Sequence, residues 1–116
     1  MTATTIYHNP KCSKSRQTLA LLQERGIEPT IIEYLKTPPR AHELDAILTL
    51  LDREPRDLMR RKEAAFKEAG ADNADLSRAE LIGIMIANPS LIERPVVLAN
   101  GKAAVGRPPE DVLGIL

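Results

Sequence analysis

The chain has 116 residues, of which 43% are hydrophobic and 28% charged, and its 16 basic and 16 acidic residues give a formal net charge of zero. These proportions are typical of one soluble globular domain, and the charge balance favours neither a nucleic acid nor an anionic membrane as partner. Two tyrosines, one phenylalanine and no tryptophan offer no platform for stacking bases.

Targeting and redox features of the chain point to the cytoplasm. No apolar run approaches the roughly 18 residues that a transmembrane helix needs. The first residues lack the charged and apolar regions of a secretory signal, so we expect none. A single cysteine cannot form an internal disulfide, which suits a reducing compartment. We therefore expect a cytoplasmic protein.

The first third of the chain predicts a βαβ unit. Residues 4–8 form a short β-rich run that ends at an Asn-Pro breaker. A helical pattern begins near Ser13 and ends near Gly26, a residue suited to a C-cap. Residues 30–35 form a second β-rich run. Strand, helix and strand in this order predict a parallel pair with a right-handed crossover.

The middle of the chain predicts three or four short helices over residues 38–88. The pair Pro38-Pro39 suits the first turn of one helix, and Pro55 suits the start of another. Ser77 and Glu80 have the spacing of a capping box. Residues 68–76 are polar and predict a loop.

The end of the chain returns to strands. Two β-rich runs at 96–99 and 102–105 flank Asn100-Gly101, a pair that favours a type I′ hairpin turn. The Pro-Pro pair at 108–109 then suits the start of a final helix. The whole pattern predicts an α/β fold with a four-stranded mixed sheet and helices on its faces.

Cys12 lies where the first predicted strand gives way to the first predicted helix. A helix N-terminus presents unpaired N–H groups that favour a thiolate and can bind an oxyanion. The stretch 7–16 contains no acidic residue. Four basic or titratable residues lie in it, namely His8, Lys11, Lys14 and Arg16. The sequence also allows a small buried cysteine beside a solvated basic face, with His8 as a structural histidine. Cys12 and His8 alone are too few to bind a metal, so no metal site is predicted.

Three arginines are candidates for holding an oxyanion through bidentate contacts. Arg94 and Arg107 each precede a proline, which restricts them to extended backbone, and Arg60 lies in a basic stretch. Each could equally be a solvated surface charge. Ser15 has a separate interest, because it stands where a C-x-x-C pair would place its second cysteine.

The segment from Tyr7 to Arg16 resembles the H-N-P-x-C-x-x-S-R signature of the glutaredoxin-linked arsenate reductases, the ArsC family. The resemblance extends over essentially the whole chain and points to a short single-domain subgroup. The further matching stretches, in order, are Tyr34–Pro39, Leu58–Lys62, Asn88–Val97 and Gly106–Pro109.

This resemblance implies a thioredoxin-like fold in one domain, residues 1–116, with a helical insertion at about 38–88 between the βαβ and ββα halves. It also implies a cis peptide before Pro95. Gly106 stands where some members have a cysteine, a difference from which we expect little effect. The implied site has Cys12 as nucleophile with His8 lowering its pKa, Arg60, Arg94 and Arg107 binding arsenate, and Asn9, Ser15, Arg16 and Pro95 in support.

The implied reaction is the reduction of arsenate to arsenite through a Cys12 thiol–arsenate adduct. Because the chain has no second cysteine, glutathione as co-substrate and glutaredoxin as partner would supply the reducing equivalents, and no bound cofactor is expected. Two alternatives remain open. One is a monothiol, glutathione-dependent oxidoreductase acting on mixed disulfides, and the other is a non-catalytic regulator that binds RNA polymerase, as the Spx proteins do.

Overall fold

The computed structural model describes residues 3–116, which divide into two compact units. The first unit combines the described residues up to Thr37 with Arg94–Leu116, and the second is Pro38–Glu93. The second unit corresponds to the helical insertion predicted at about 38–88, and it extends five residues further along the chain. The assignment of residues 1–116 to one domain stays a prediction.

A four-stranded mixed sheet forms the centre of the first unit. Its strands are β1 (Thr5–His8), β2 (Thr30–Glu33), β3 (Val96–Ala99) and β4 (Lys102–Val105), in the order β2-β1-β3-β4. Strands β1 and β2 are parallel, and the other two pairs are antiparallel. The α/β fold class with a mixed thioredoxin-like sheet is therefore confirmed.

The connections of the first unit follow the turn chemistry of the sequence. Helix α1 spans Ser13–Glu24, and Gly26 follows it with φ of 74°, as a C-terminal glycine should. Asn100 and Gly101 both have positive φ, 54° and 72°, which confirms the predicted hairpin turn. The predicted final helix is a 3₁₀ helix over Pro109–Ile115.

One face of this sheet packs against α1 and the C-terminal 3₁₀ helix. Four fully buried side chains, one from each of β1, α1, β3 and the 3₁₀ helix, form its core: Ile6, Leu22, Val97 and Val112. Because side chains alternate along a strand, His8 faces the same side of the sheet as Ile6. The fold thus places His8 at the carboxyl end of β1, on the face that carries α1.

The second unit is helical. Its main helices are α2 (Ala41–Leu51), α3 (Ala64–Glu68) and α4 (Arg78–Ala87), with short 3₁₀ helices at Pro55–Leu58 and Pro89–Leu91. Helix α2 begins later than the Pro-Pro pair suggested, because the Glu43 carboxylate accepts the N–H of Arg40 and fixes the start there. Among residues 3–116, no helix combines the length and apolar character needed to cross a bilayer.

Candidate active site

The turn between β1 and α1 is organised by Asn9. Its carbonyl accepts the N–H of Cys12 at 3.0 Å, and its side-chain Oδ1 accepts the N–H of Lys11 at 3.0 Å. Its own N–H donates to Ser15 Oγ at 3.0 Å. Asparagine suits this place because its short side chain can bond to backbone two residues ahead. The supporting role predicted for Asn9 thus has a structural basis: it sets the path of the chain into Cys12.

Cys12 occupies the N-cap position of α1. In the described part of the chain, no side chain caps this helix end, and the first turn contains no acidic residue. The backbone N–H groups of Lys14 and Ser15 instead face the Cys12 sulfur and lower the pKa of its thiol. The thiol is partly exposed, so a small molecule can reach it. Cys12 therefore lies at the helix start that the sequence indicated, and an anion site there stays a prediction.

The pKa of the Cys12 thiol lies below its ordinary value. Burial acts to raise it, but the hydrogen bond from the Ser15 N–H, the charge of Arg94, the Lys14 N–H and a hydrogen bond from the Arg94 side chain together lower it more. A lowered pKa increases the thiolate fraction at neutral pH, and the thiolate is the nucleophile. The site thus favours a reactive sulfur.

Arg94 reaches Cys12 from the segment that leads into β3. The Arg94–Pro95 peptide bond is cis, as the resemblance implied, and a second cis bond joins Arg107 to Pro108. Arg107 is exposed, and its Nη1 donates to the Arg94 carbonyl at 3.4 Å. The structure therefore brings Arg94 to the thiol and joins Arg107 to the backbone of Arg94.

Gly106 is a residue whose importance the sequence did not reveal. A Cβ built at this position would overlap Thr18 Oγ1 and would lie 2.8 Å from Pro95 Cγ. The Gly106 N–H also donates to the Pro95 carbonyl at 2.9 Å. The close approach of α1 and the Pro95 segment leaves no room for a side chain here, and the expectation that the difference from the cysteine of some members has little effect stays a prediction. Only the folded arrangement could show this contact.

His8 and Ser15 form a buried pair beside the nucleophile. His8 Nδ1 lies 2.6 Å from Ser15 Oγ, and the two residues are 6% and 0% exposed. Burial lowers the pKa of His8 from its ordinary value, Glu33 raises it and Arg16 lowers it. The groups that lower the thiol pKa are Ser15, Lys14 and Arg94, whereas His8 contacts Ser15. The role of His8 in lowering the thiol pKa stays a prediction, and the contact that the structure gives His8 is the one with Ser15.

The remaining predicted residues lie in different surroundings. Arg16 is exposed, and its Nη1 donates to the Pro10 carbonyl at 3.0 Å, which supports the turn before Cys12. Arg60 belongs to the second unit, where its side chain pairs with Glu63 at 2.5 Å and its N–H donates to the Leu91 carbonyl. A role for Arg60 in binding an oxyanion stays a prediction from the sequence.

The part of the chain that the structure describes contains no cluster of metal ligands. No three His, Cys, Asp or Glu side chains among residues 3–116 come together as they would to hold a metal ion. The groups gathered at Cys12 are a nucleophile, two backbone donors and a guanidinium. This set suits covalent chemistry on a small anion.

Comparisons with other proteins agree with the motif. The model of the ArsC family matches residues 7–115. The chain is 53% identical over 112 residues to a protein named YfgD and described as uncharacterized, from Escherichia coli K12, with 96% of this chain and 94% of that protein covered. It is 49% identical to an arsenate reductase from Neisseria meningitidis serogroup B, with 96% of each covered.

A solved structure extends this likeness to the fold. The arsenate reductase from Vibrio cholerae superimposes with a TM-score of 0.95 at 50% identity, covering 99% of this chain and 98% of that one. A protein from Bacteroides fragilis, described as related to the ArsC family, shares the fold with a TM-score of 0.83 at 23% identity. The chain therefore belongs to the ArsC family.

Proposed function

We propose that this protein is an oxidoreductase that reduces arsenate to arsenite through a covalent Cys12 adduct, with glutathione and glutaredoxin as reductants. The observation that carries the proposal is the thiol of Cys12, which faces two backbone N–H donors and the Arg94 guanidinium and has a lowered pKa. Relatives named arsenate reductase, at 49% identity over nearly the whole chain, support arsenate as substrate.

The first step joins the sulfur to arsenic. The Cys12 thiolate attacks arsenate, an S–As bond forms, and one As–OH group takes a proton and leaves as water. Arg94 neutralises charge on the bound oxyanion, and the N–H groups of Lys14 and Ser15 at the start of α1 donate to the arsenate oxygens. Arg107 completes the proposed binding set on the strength of its motif position, and the role of Arg60 stays a prediction from the sequence.

The second step reduces the arsenic. A glutathione thiolate attacks the Cys12 sulfur, the S–As bond breaks, and its electron pair stays on arsenic, which becomes arsenite. The two sulfurs are thereby oxidised to a Cys12–glutathione mixed disulfide. A glutaredoxin thiolate then attacks the glutathione sulfur and releases the Cys12 thiolate. This external route follows from Ser15, which occupies the place of a resolving cysteine.

A coupled assay with arsenate, glutathione and glutaredoxin tests the proposal. We expect arsenite to form only when all three are present, and we expect a Cys12–glutathione adduct to be trapped when glutaredoxin is left out. Full turnover with thioredoxin as the sole reductant would overturn the assignment of the reductant. No arsenite formation under any of these conditions would overturn the assignment of the substrate.

A second candidate is the reduction of mixed disulfides between glutathione and other proteins. The observation that favours it is an accessible, low-pKa cysteine followed at the third position by serine. Measuring the release of glutathione from a model mixed disulfide beside the arsenate assay distinguishes the two reactions. Polymerase binding, the remaining alternative, is tested by a pull-down with the RNA polymerase α subunit.

A further inference from the structure

Ser15 joins two features that the sequence presents separately, the buried histidine and the reactive cysteine. Its side chain is completely buried, and Oγ lies 2.6 Å from His8 Nδ1 and 3.0 Å from the N–H of Asn9. Its backbone N–H, in the first turn of α1, faces the Cys12 sulfur and lowers the pKa of the thiol. His8 and Asn9 therefore hold the Ser15 hydroxyl in place, while the Ser15 main chain contacts the nucleophile.

The hydrogen-bond donors and acceptors around Ser15 Oγ favour one protonation state of the His8 ring. The Asn9 N–H can only donate, so Ser15 Oγ accepts there and has one hydrogen of its own to give. That hydrogen has an acceptor at His8 Nδ1 when the ring is neutral and carries its proton on Nε2. A protonated ring would bring a second donor to Oγ and leave the hydroxyl hydrogen without this acceptor. The cluster therefore favours the uncharged imidazole.

We infer that His8 is a positioning residue that acts while uncharged: its Nδ1 fixes the Ser15 hydroxyl, and Ser15 thereby holds its backbone N–H against Cys12. The catalytic meaning of this inference rests on the proposed function, since Cys12 is the nucleophile there. The family resemblance suggests that His8 lowers the pKa of the thiol, and this inference assigns that effect to the placement of the Ser15 N–H and not to a charge on the ring.

The surroundings of His8 agree with a neutral ring. Burial is the largest effect on its pKa and lowers it, the Arg16 charge lowers it further, and Glu33 at the end of β2 acts in the opposite direction. Glu33 is the register partner of His8 across the parallel pair, and it also pairs with Lys36 at 3.7 Å. The balance leaves the pKa of His8 below its ordinary value, so at neutral pH the ring is predominantly uncharged.

Two uncharged replacements of His8 distinguish an effect of its contact with Ser15 from an effect of its charge. In His8→Asn, the side-chain Oδ1 takes nearly the place of Nδ1 and can accept the Ser15 hydroxyl. In His8→Gln, the amide lies one bond further out, near the place of Nε2, and loses that contact. Neither side chain titrates. The thiol pKa of Cys12 is measured in each full-length variant from the pH dependence of its alkylation by iodoacetamide, with circular dichroism to verify folding.

We expect His8→Asn to keep the wild-type thiol pKa and His8→Gln to raise it by about 0.5 to 1 unit. An equal rise in both variants would overturn the inference, because it would show that the imidazole itself, by charge or otherwise, sets the pKa. An unchanged pKa in both would also overturn it, because the contact with Ser15 would then have no effect on the thiol.

Ser15→Ala keeps the test decisive if a His8 variant fails to fold. We expect this substitution to raise the thiol pKa as His8→Gln does, and the double variant Ser15→Ala/His8→Gln to show no further rise, because both changes break one connection. Additive shifts would contradict the inference. The titrations contain no arsenate, so a failed arsenate assay leaves their outcome intact, and an altered thiol pKa leaves the identity of the substrate untouched.

Discussion

Helices α1 and α4 differ in how their first turns satisfy the unpaired N–H groups. At the start of α4, Ser77 Oγ accepts the N–H of Glu80 at 3.2 Å, and the Glu80 carboxylate accepts the N–H of Ser77 at 3.1 Å. At the start of α1, within residues 3–116, no side chain caps the helix and the N–H groups face the Cys12 sulfur.

The difference separates a structural helix end from a reactive one. The capping box of α4 uses the donors of its own first turn and so contributes only to stability. The first turn of α1 keeps its donors for a thiolate and, in the proposed reaction, for arsenate oxygens. A helix end without a side-chain cap, beside a cysteine and an arginine, therefore marks the candidate site in this chain.

Replacing Cys12 by serine should have the largest effect. Serine presents a neutral hydroxyl instead of a soft thiolate, so we expect arsenate reduction to fall by at least about a thousandfold. Binding of arsenate, measured by calorimetry, should survive because the N–H donors and Arg94 remain. Retained turnover in this variant would show that Cys12 is not the nucleophile. It would also contradict the proposed role of the start of α1 in the reaction.

Replacing Arg94 by alanine should have the next largest effect. The loss of its charge and hydrogen bond should raise the thiol pKa and lower kcat/KM for arsenate by about a hundredfold. Arg25→Ala is the matched control, since Arg25 lies exposed at the opposite end of α1. Equal kinetic constants in the two variants would contradict the role of Arg94.

Replacing Ser77 by alanine should affect stability alone. Loss of the capping box should lower the free energy of unfolding by about 1 kcal/mol, which denaturant titration can measure. The alkylation rate of Cys12 should stay at the wild-type value. A change in that rate together with the stability would show that the start of α4 influences the thiol. It would contradict a purely structural role for the capping box.

The smallest effect concerns pH. Because the folded pKa of His8 is lowered, the unfolded chain binds more protons between that value and the ordinary pKa of 6.5. The contribution of His8 to stability is therefore complete above pH 6.5 and is lost as the pH falls through the folded pKa. Unfolding titrations at pH 7 and pH 5 should show a larger loss for the wild type than for His8→Asn. An equal loss would contradict a buried neutral His8.

The sequence predicted the fold well because its turn signals are local. The hairpin turn needs positive φ at both of its central residues, which Asn100 and Gly101 can adopt. The capping box of Ser77 and Glu80 forms within a single helical turn. The exact start of α2 was harder to place, since the Glu43 side chain competes with the proline pair for control of it.

The candidate site was predicted in part. The position of Cys12 at a helix end is local and followed from the pattern of strand, breaker and helix. The contact of Ser15 with His8 depends on the path of the turn between β1 and α1, and the lack of space at Gly106 depends on Thr18 and Pro95, which the fold brings against it. A glycine that is needed for space looks, in sequence, like any other glycine. These contacts therefore required coordinates.

The most direct test of the account is the thiol pKa of Cys12 in the unmodified protein. The alkylation rate by iodoacetamide, followed from pH 4 to pH 10, reports the thiolate fraction because only the thiolate reacts. We predict a midpoint clearly below the roughly 8.5 of a free cysteine, and a higher midpoint in Arg94→Ala. A midpoint at or above the free value in the wild type would show that the start of α1 does not stabilise an anion.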